Sequence, residues 1–205
     1  MPMISSSRAL ATAVWPRDVN RVARGLVLLL VGTAFLAISA KVKVPFWPVP
    51  MTLQTLAVLL IGAAYGSRLA VATVVAYIAE GMLGLPVFTN TPPAIAGPLY
   101  MLGPTAGFIV SWVLVAAIVG YATDRGWDRS ALRLGAAMLL AVAVQFALGF
   151  AWLAWFAELP NGVAGIGAAK AFAGGVAPFL LGDALKVVLA ALLIPASWTL
   201  VGRRG

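Results

Sequence analysis

Asp183 and Lys186 stand three residues apart in the stretch 173–201, which is otherwise apolar or small and long enough to cross a bilayer. An ionisable side chain at membrane depth costs at least ~2.5–3.5 kcal/mol on insertion scales, so it faces a partner or a water-filled cavity. At this spacing on a helix the carboxylate and the ammonium share a face and can touch. Two roles are open to such a pair. It can neutralise itself and pin one helix against its neighbours. Or it can line a polar pocket that offers a small ligand one acceptor and one cation. Phe179, one turn before Asp183, would line the same face, and Gly182 lets a backbone or a ligand come close. Glu80 can join this network or reach the headgroups.

What positions the pair is a bundle in a membrane. The chain is 62% hydrophobic and only 10% charged, too little polar surface to cover a soluble globule of 205 residues. It contains no cysteine and no histidine. Disulfides, thiolate chemistry, the commonest metal ligand and the commonest general base are therefore missing, and no metal site is expected. No Gly-x-Ser-x-Gly elbow is present either, and a single Asp-Lys pair makes a poor hydrolase, so the chain does not read as an enzyme. In a soluble protein the net charge of +8 would suggest nucleic acid; in a membrane protein a basic excess reports orientation.

With about 20 apolar residues per span, hydrophobic segments fall at 22–40, 51–65, 69–85, 99–121, 132–156 and 173–201. The expected fold is an all-α integral membrane protein of six transmembrane helices. The second and third are short and form a helical hairpin about a tight turn at Gly66 and Ser67. Alternating the connections places all ten arginines on the side of the termini, and leaves only Lys41, Lys43 and Lys170 on the opposite side, with Lys186 inside the membrane. By the positive-inside rule both termini are cytoplasmic, in a bacterial-type cytoplasmic membrane. Dropping one span would scatter the arginines over both faces. The first span imitates a signal peptide in its Arg21, Arg24 and Ala-Ile-Ser-Ala ending at Ala40, but losing it would spoil the same sorting. Residues 1–20 are polar without helical periodicity and read as a flexible cytoplasmic tail. No linker divides 21–205, which reads as one transmembrane domain.

The outer loops hold the remaining candidates. The first, 41–50, has three prolines and the adjacent Phe46 and Trp47, a stiff non-helical lid. Trp47 alone could equally be a headgroup-level anchor. Thr52 and Gln54 follow at the mouth of the second helix. The second outer loop, 86–98, carries no charge but has Phe88, Thr89, Asn90 and Thr91. Amides and hydroxyls there can orient a neutral polar ligand without a counter-ion, and Asn90 is the candidate, an exposed turn asparagine being the bland alternative. The third, 158–170, is glycine-rich and reads as mobile. If the last span begins near 173, Asp183 lies ~15 Å below its outer end.

Four motifs occur in order: Val49-Pro50-Met51-Thr52-Leu53-Gln54-Thr55, Gly84-Leu85-Pro86-Val87-Phe88, Gly103-Pro104-Thr105-Ala106-Gly107-Phe108 and Gly182-Asp183-Ala184-Leu185-Lys186. Together they resemble the BioY family, the biotin-specific substrate-binding (S) components of energy-coupling factor (ECF) transporters, over roughly 22–201. The resemblance implies an S-component-like bundle that binds biotin with high affinity from outside and needs no cofactor. It also implies docking on a transmembrane coupling subunit carried by two ATPases. This chain has no Walker motif, so ATP dependence must come from such partners.

Carried over by position, the motif's acid and base map to Asp183 and Lys186, and the family's amide corresponds to Asn90. On that analogy Lys186 can neutralise the valerate carboxylate and Asp183 can accept from the ureido N–H groups, but a Lys–carboxylate and a Lys–Asp pair compete for the same ammonium, so the pairing stays open. Asn90 or Gln54 serves the remaining polar groups, and Trp47, Phe88 and Tyr100 pack on the rings. One departure concerns docking. Where S components of this class often carry Ala-x-x-x-Ala on the first helix, this chain has Ala34, Ala37 and Ala40, so Thr33 and Ala37 are the expected small-x-x-x-small docking face. Ala143, Ala147 and Ala151 form another small-residue stripe, for internal packing or self-association. The alternatives are an S component for another small vitamin or precursor, and a structural membrane protein without ligand.

Overall fold

A computed structural model describes residues 9–13, 20–158, 162 and 164–202. The described residues are mainly helical, with a two-stranded hairpin, an isolated bridge between Glu158 and Ala164, and a non-helical segment over 83–97. The helices are α1 (Leu10–Ala13), α2 (Arg21–Lys41), α3 (Gln54–Tyr65), α4 (Ser67–Met82), α5 (Ala106–Asp124), α6 (Ala131–Trp155), α7 (Ala168–Gly175) and α8 (Leu180–Gly202). The hairpin joins α2 to α3, with β1 (Lys43–Val44) antiparallel to β2 (Met51–Thr52). Among the described residues, α2, α5, α6 and the run Ala168–Leu200 are each long and apolar enough to cross a membrane. Of the segment 1–20, residues 1–8 and 14–19 lie outside the described residues, and Leu10 on α1 packs against the core.

Local chemistry sets the helix limits. The Asn20 side chain accepts from the backbone N–H of Val22 at 2.8 Å, capping α2, and Ser130 accepts from Arg133 at the start of α6. Gly66, at φ 76°, ends α3 and starts α4, a left-handed backbone that an L residue resists. The stretch 99–121 is not helical throughout: Pro98–Leu102 is a 3-10 turn, and Gly103-Pro104 delays α5 to Ala106.

The expected last span is likewise broken. Gly174 and Gly175 end α7, and Pro178 stands in a 3-10 turn, Ala177–Phe179, before α8 begins. Asp183 consequently sits in the first turn of α8, where the helix dipole favours a negative charge, rather than in the middle of one unbroken helix.

α5 is the central helix, packed against α3, α4 and α6, while α8 closes the bundle on α3 and α6. Tyr77, Trp112, Val119 and Met138 belong to the main core, and a smaller cluster around Phe108, Leu153 and Phe179 sits toward the hairpin end. α5 comes so near the start of α4 that a Cβ on Gly120 would lie 2.4 Å from Ser67 Cα. At that end the Ser67 hydroxyl and N–H donate to Asp124, and the Trp198 indole donates to Asp128 at 2.6 Å. Arg68, Arg125, Arg129 and Arg133 share it, whereas Lys41 and Lys43 lie at the other end with the hairpin.

Thr33 and Ala37, expected as a docking face, are turned inward. Thr33 is buried, Ala37 packs against the core, and beside them a Cβ on Gly32 would meet Thr73 at 2.5 Å. The small residues let α2 approach α4, and the exposed side of α2 is built from Leu26, Leu30, Phe35 and Ile38. In the third outer loop, 159–161 and 163 lie outside the described residues, and the Glu158 N–H donates to the Leu102 carbonyl at 2.8 Å.

Candidate functional site

Between the hairpin, the starts of α3, α5 and α8, and the middle of α6 lies a cavity with an empty volume of about 500 Å³, its open mouth included. Asp183 and Lys186 line it from α8, Gln54 and Thr55 from α3, Gln145 from α6, and Thr89 and Tyr100 from the segment between α4 and α5. Phe108, Trp112, Phe146 and Phe179 supply apolar walls, and Phe46 meets Phe179 edge-on with centroids 6.0 Å apart.

The ion pair is made and buried. Lys186 Nζ donates to Asp183 Oδ1 at 2.7 Å and to the Thr52 carbonyl at 2.8 Å, so two of its three hydrogens are committed. Asp183 and Lys186 are only 2% and 7% exposed, a burial that paired charges tolerate and single ones do not. Among the described residues the second carboxylate oxygen meets only the Gln145 amide, at 3.4 Å, and keeps acceptor capacity toward the cavity. Gln145 is oriented in turn: the Trp112 indole N–H donates to its carbonyl at 3.0 Å, which turns its amide nitrogen to Thr55 and Asp183.

A second polar group is fixed at the start of α3. Gln54 donates to the Tyr77 hydroxyl at 2.7 Å and accepts from the Thr89 hydroxyl at 2.9 Å. The Tyr77 hydroxyl donates on to the Val87 carbonyl at 3.0 Å, and that of Tyr100 to the Thr89 carbonyl at 2.5 Å.

Of the residues singled out from sequence, Gln54, Tyr100, Asp183 and Lys186 meet in this cavity. Phe88 is fully buried behind the wall, stacked on Tyr100 at 4.7 Å and edge-on to Tyr77 at 5.6 Å. Asn90 is exposed, at φ 66°, and its side-chain oxygen accepts from Lys43. Trp47 is 77% exposed and borders a separate surface hollow with Leu99, Pro104 and Glu158. Glu80 does not line the cavity.

Sequence reasoning missed Gln145 and Trp112, and named Thr55 and Thr89 without choosing either as a site residue. Gln145 carried a usable signal, being the one amide within the apolar stretch 132–156. The argument that singled out Asp183 applies to it in weaker form.

An apolar helical bundle that holds a buried ion pair and two oriented amides around an aromatic-walled cavity is a membrane protein with a site for a small polar molecule. Residues 8–203 match the BioY family, and the chain belongs to it. A biotin transporter BioY of Rhizobium etli is 34% identical over 180 residues, covering 83% of this chain and 90% of that one. A probable biotin transporter BioY of Pyrococcus horikoshii is 32% identical over 171 residues, covering 83% and 94%. The crystal structure of an S-component for biotin from an ECF-type ABC transporter shares the fold, with a TM-score of 0.73 at 23% identity over 88% of this chain and 94% of that one.

Proposed function

We propose that this protein binds biotin and carries it across the cytoplasmic membrane as the S component of an ECF-type transporter. Membership of the BioY family supports the ligand, and the cavity supports the manner of binding. The observation that carries the reading is a contacting, neutral ion pair with one ammonium hydrogen and one carboxylate oxygen still open to the cavity.

With its charges 2.7 Å apart, the pair serves one end of an elongated ligand. This revises the expectation that Lys186 takes the carboxylate while Asp183 takes the ureido ring. A valerate carboxylate entering a buried neutral pair would leave a net negative charge in a dry site. The ureido edge, a carbonyl beside an N–H, matches a donor beside an acceptor and leaves the charge balance unchanged. Lys186 therefore donates to the ureido carbonyl, Asp183 accepts a ureido N–H, the aromatic walls hold the thioether ring, and the valerate points to the mouth.

Calorimetry with purified protein tests this. Native protein binds biotin, and Lys186→Met, which removes the donor to the ureido carbonyl and the partner that keeps Asp183 ionised, loses affinity by roughly a hundredfold or more. Biotin methyl ester, which keeps the ureido head, stays within about tenfold of the acid. An ester as weak as the Lys186→Met variant would put the carboxylate on Lys186, and no binding of biotin by native protein would remove the function.

The reading includes six transmembrane helices, α2 to α6 and α8, with both termini cytoplasmic. The clustering of arginines at the end away from the hairpin supports that orientation. The partners are a transmembrane coupling subunit and two ATPase subunits, since the chain itself has no nucleotide-binding motif.

A further inference from the structure

We infer that Lys41 is a positioning residue for the ligand site, strapping the 86–91 segment to the end of α2. Its ammonium donates to the carbonyls of Pro86 at 2.7 Å, of Phe88 at 2.9 Å and of Thr91. Three hydrogens meet three carbonyls, so the ammonium's donor capacity is filled by one stretch of backbone. Such charge-assisted bonds are roughly twice as strong as neutral ones. Lys41 does not line the cavity.

Its effect reaches the cavity through what the strapped segment holds. Thr89, between the Phe88 and Thr91 carbonyls that Lys41 binds, donates its hydroxyl to Gln54 at 2.9 Å and takes the Tyr100 hydroxyl on its carbonyl at 2.5 Å. Val87, between Pro86 and Phe88, takes the Tyr77 hydroxyl that receives the Gln54 amide. The orientation of Gln54 and of Tyr100 thus depends on where this segment sits. Lys43 adds a second tether through Asn90. Helix packing does not rest on Lys41, which is exposed at the last residue of α2.

The test rests on the biotin reading and separates the two. Biotin dissociation and backbone hydrogen exchange are measured on native protein and on Lys41→Met, Lys41→Arg and Lys170→Met. Lys170 lies at the hairpin end too, without a bond to this segment, and controls for loss of a positive charge on that face. Lys41→Met speeds dissociation by about tenfold or more and raises exchange at 87–91, while the helices keep their protection. Lys41→Arg, which restores charge and donors, recovers most of both. Lys170→Met behaves as native. Unchanged dissociation and exchange in Lys41→Met, or equal effects of Lys41→Met and Lys170→Met on dissociation, overturn the proposal. If native protein binds no biotin the function fails, and exchange at 87–91 alone then decides the strap. If Lys41→Met does not fold, Lys41→Gln, which keeps a polar tip but loses the charge and part of the stem's reach, decides it: faster dissociation with raised exchange at 87–91 sustains the strap, and native-like values of both overturn it.

Discussion

The Asp183 carboxylate balances Lys186 and also presents an open oxygen to the cavity, and one substitution distinguishes these contributions. Asp183→Asn keeps an acceptor and removes the charge, leaving the Lys186 ammonium buried against the Thr52 carbonyl alone. Removing one partner of a buried pair costs up to about 3–5 kcal/mol, less where a hydrogen bond survives. The expected result is weaker biotin binding together with a lower Tm of the ligand-free protein in detergent. Unchanged affinity with a lowered Tm would leave Asp183 a packing role and remove it from the site.

Between elements, two contacts at the arginine-rich end govern how the helices join. A methyl group at Gly120 would stand 2.4 Å from Ser67 Cα and 2.5 Å from its nitrogen, backbone atoms that cannot rotate aside. Gly120→Ala should destabilise by about 1–3 kcal/mol, read as a drop in Tm without loss of biotin binding at low temperature. Asp128 ties the α5–α6 connection to α8 through Trp198, with its other carboxylate oxygen buried and unpartnered. Burial raises its carboxyl above the usual carboxylate range, against the opposing pull of the Trp198 bond and Arg129. The folded protein therefore binds this proton more tightly than the unfolded chain does. Ionisation costs stability at neutral pH, and that cost vanishes as pH falls through the raised value toward 3.8. Asp128→Asn should raise Tm at pH 7 by an amount that shrinks on acidification; a pH-independent difference would mean the charge is not what matters.

For the whole molecule, the orientation in the membrane decides which solution the cavity meets. Val44 lies in the hairpin whose Val49, Pro50 and Thr52 line the cavity, and Ser130 caps α6 at the opposite end. An impermeant maleimide should label Val44→Cys in intact cells and reach Ser130→Cys only after permeabilisation. External labelling at position 130 would turn the protein over and direct the site to the cytoplasm. The inward turn of Thr33 and Ala37 also moves the search for a docking surface to the larger apolar side chains of α2, at Leu26, Leu30 and Phe35.

Much of this was legible in the chain itself. Composition specified a membrane protein, apolar run lengths located α2, α3, α4 and α6 to within three residues but overran the starts of α5 and α8 by seven, and a carboxylate three residues from an ammonium had to share a face whatever the fold. These are local properties of backbone geometry and solvation. What surrounds that face was not local. The break at Gly174, Gly175 and Pro178 brought Asp183 up to a helix start, and the packing of distant segments brought in Gln145 and Thr89 while leaving Asn90 and Trp47 on the outside. The same packing turned the small residues of α2 inward. In a soluble helix the polar face announces which side is out, but lipid and core are alike apolar, so the rotation of a membrane helix leaves little trace in its hydrophobic pattern. Side-chain shape against neighbouring helices sets that rotation, and only the assembled tertiary structure contains those neighbours.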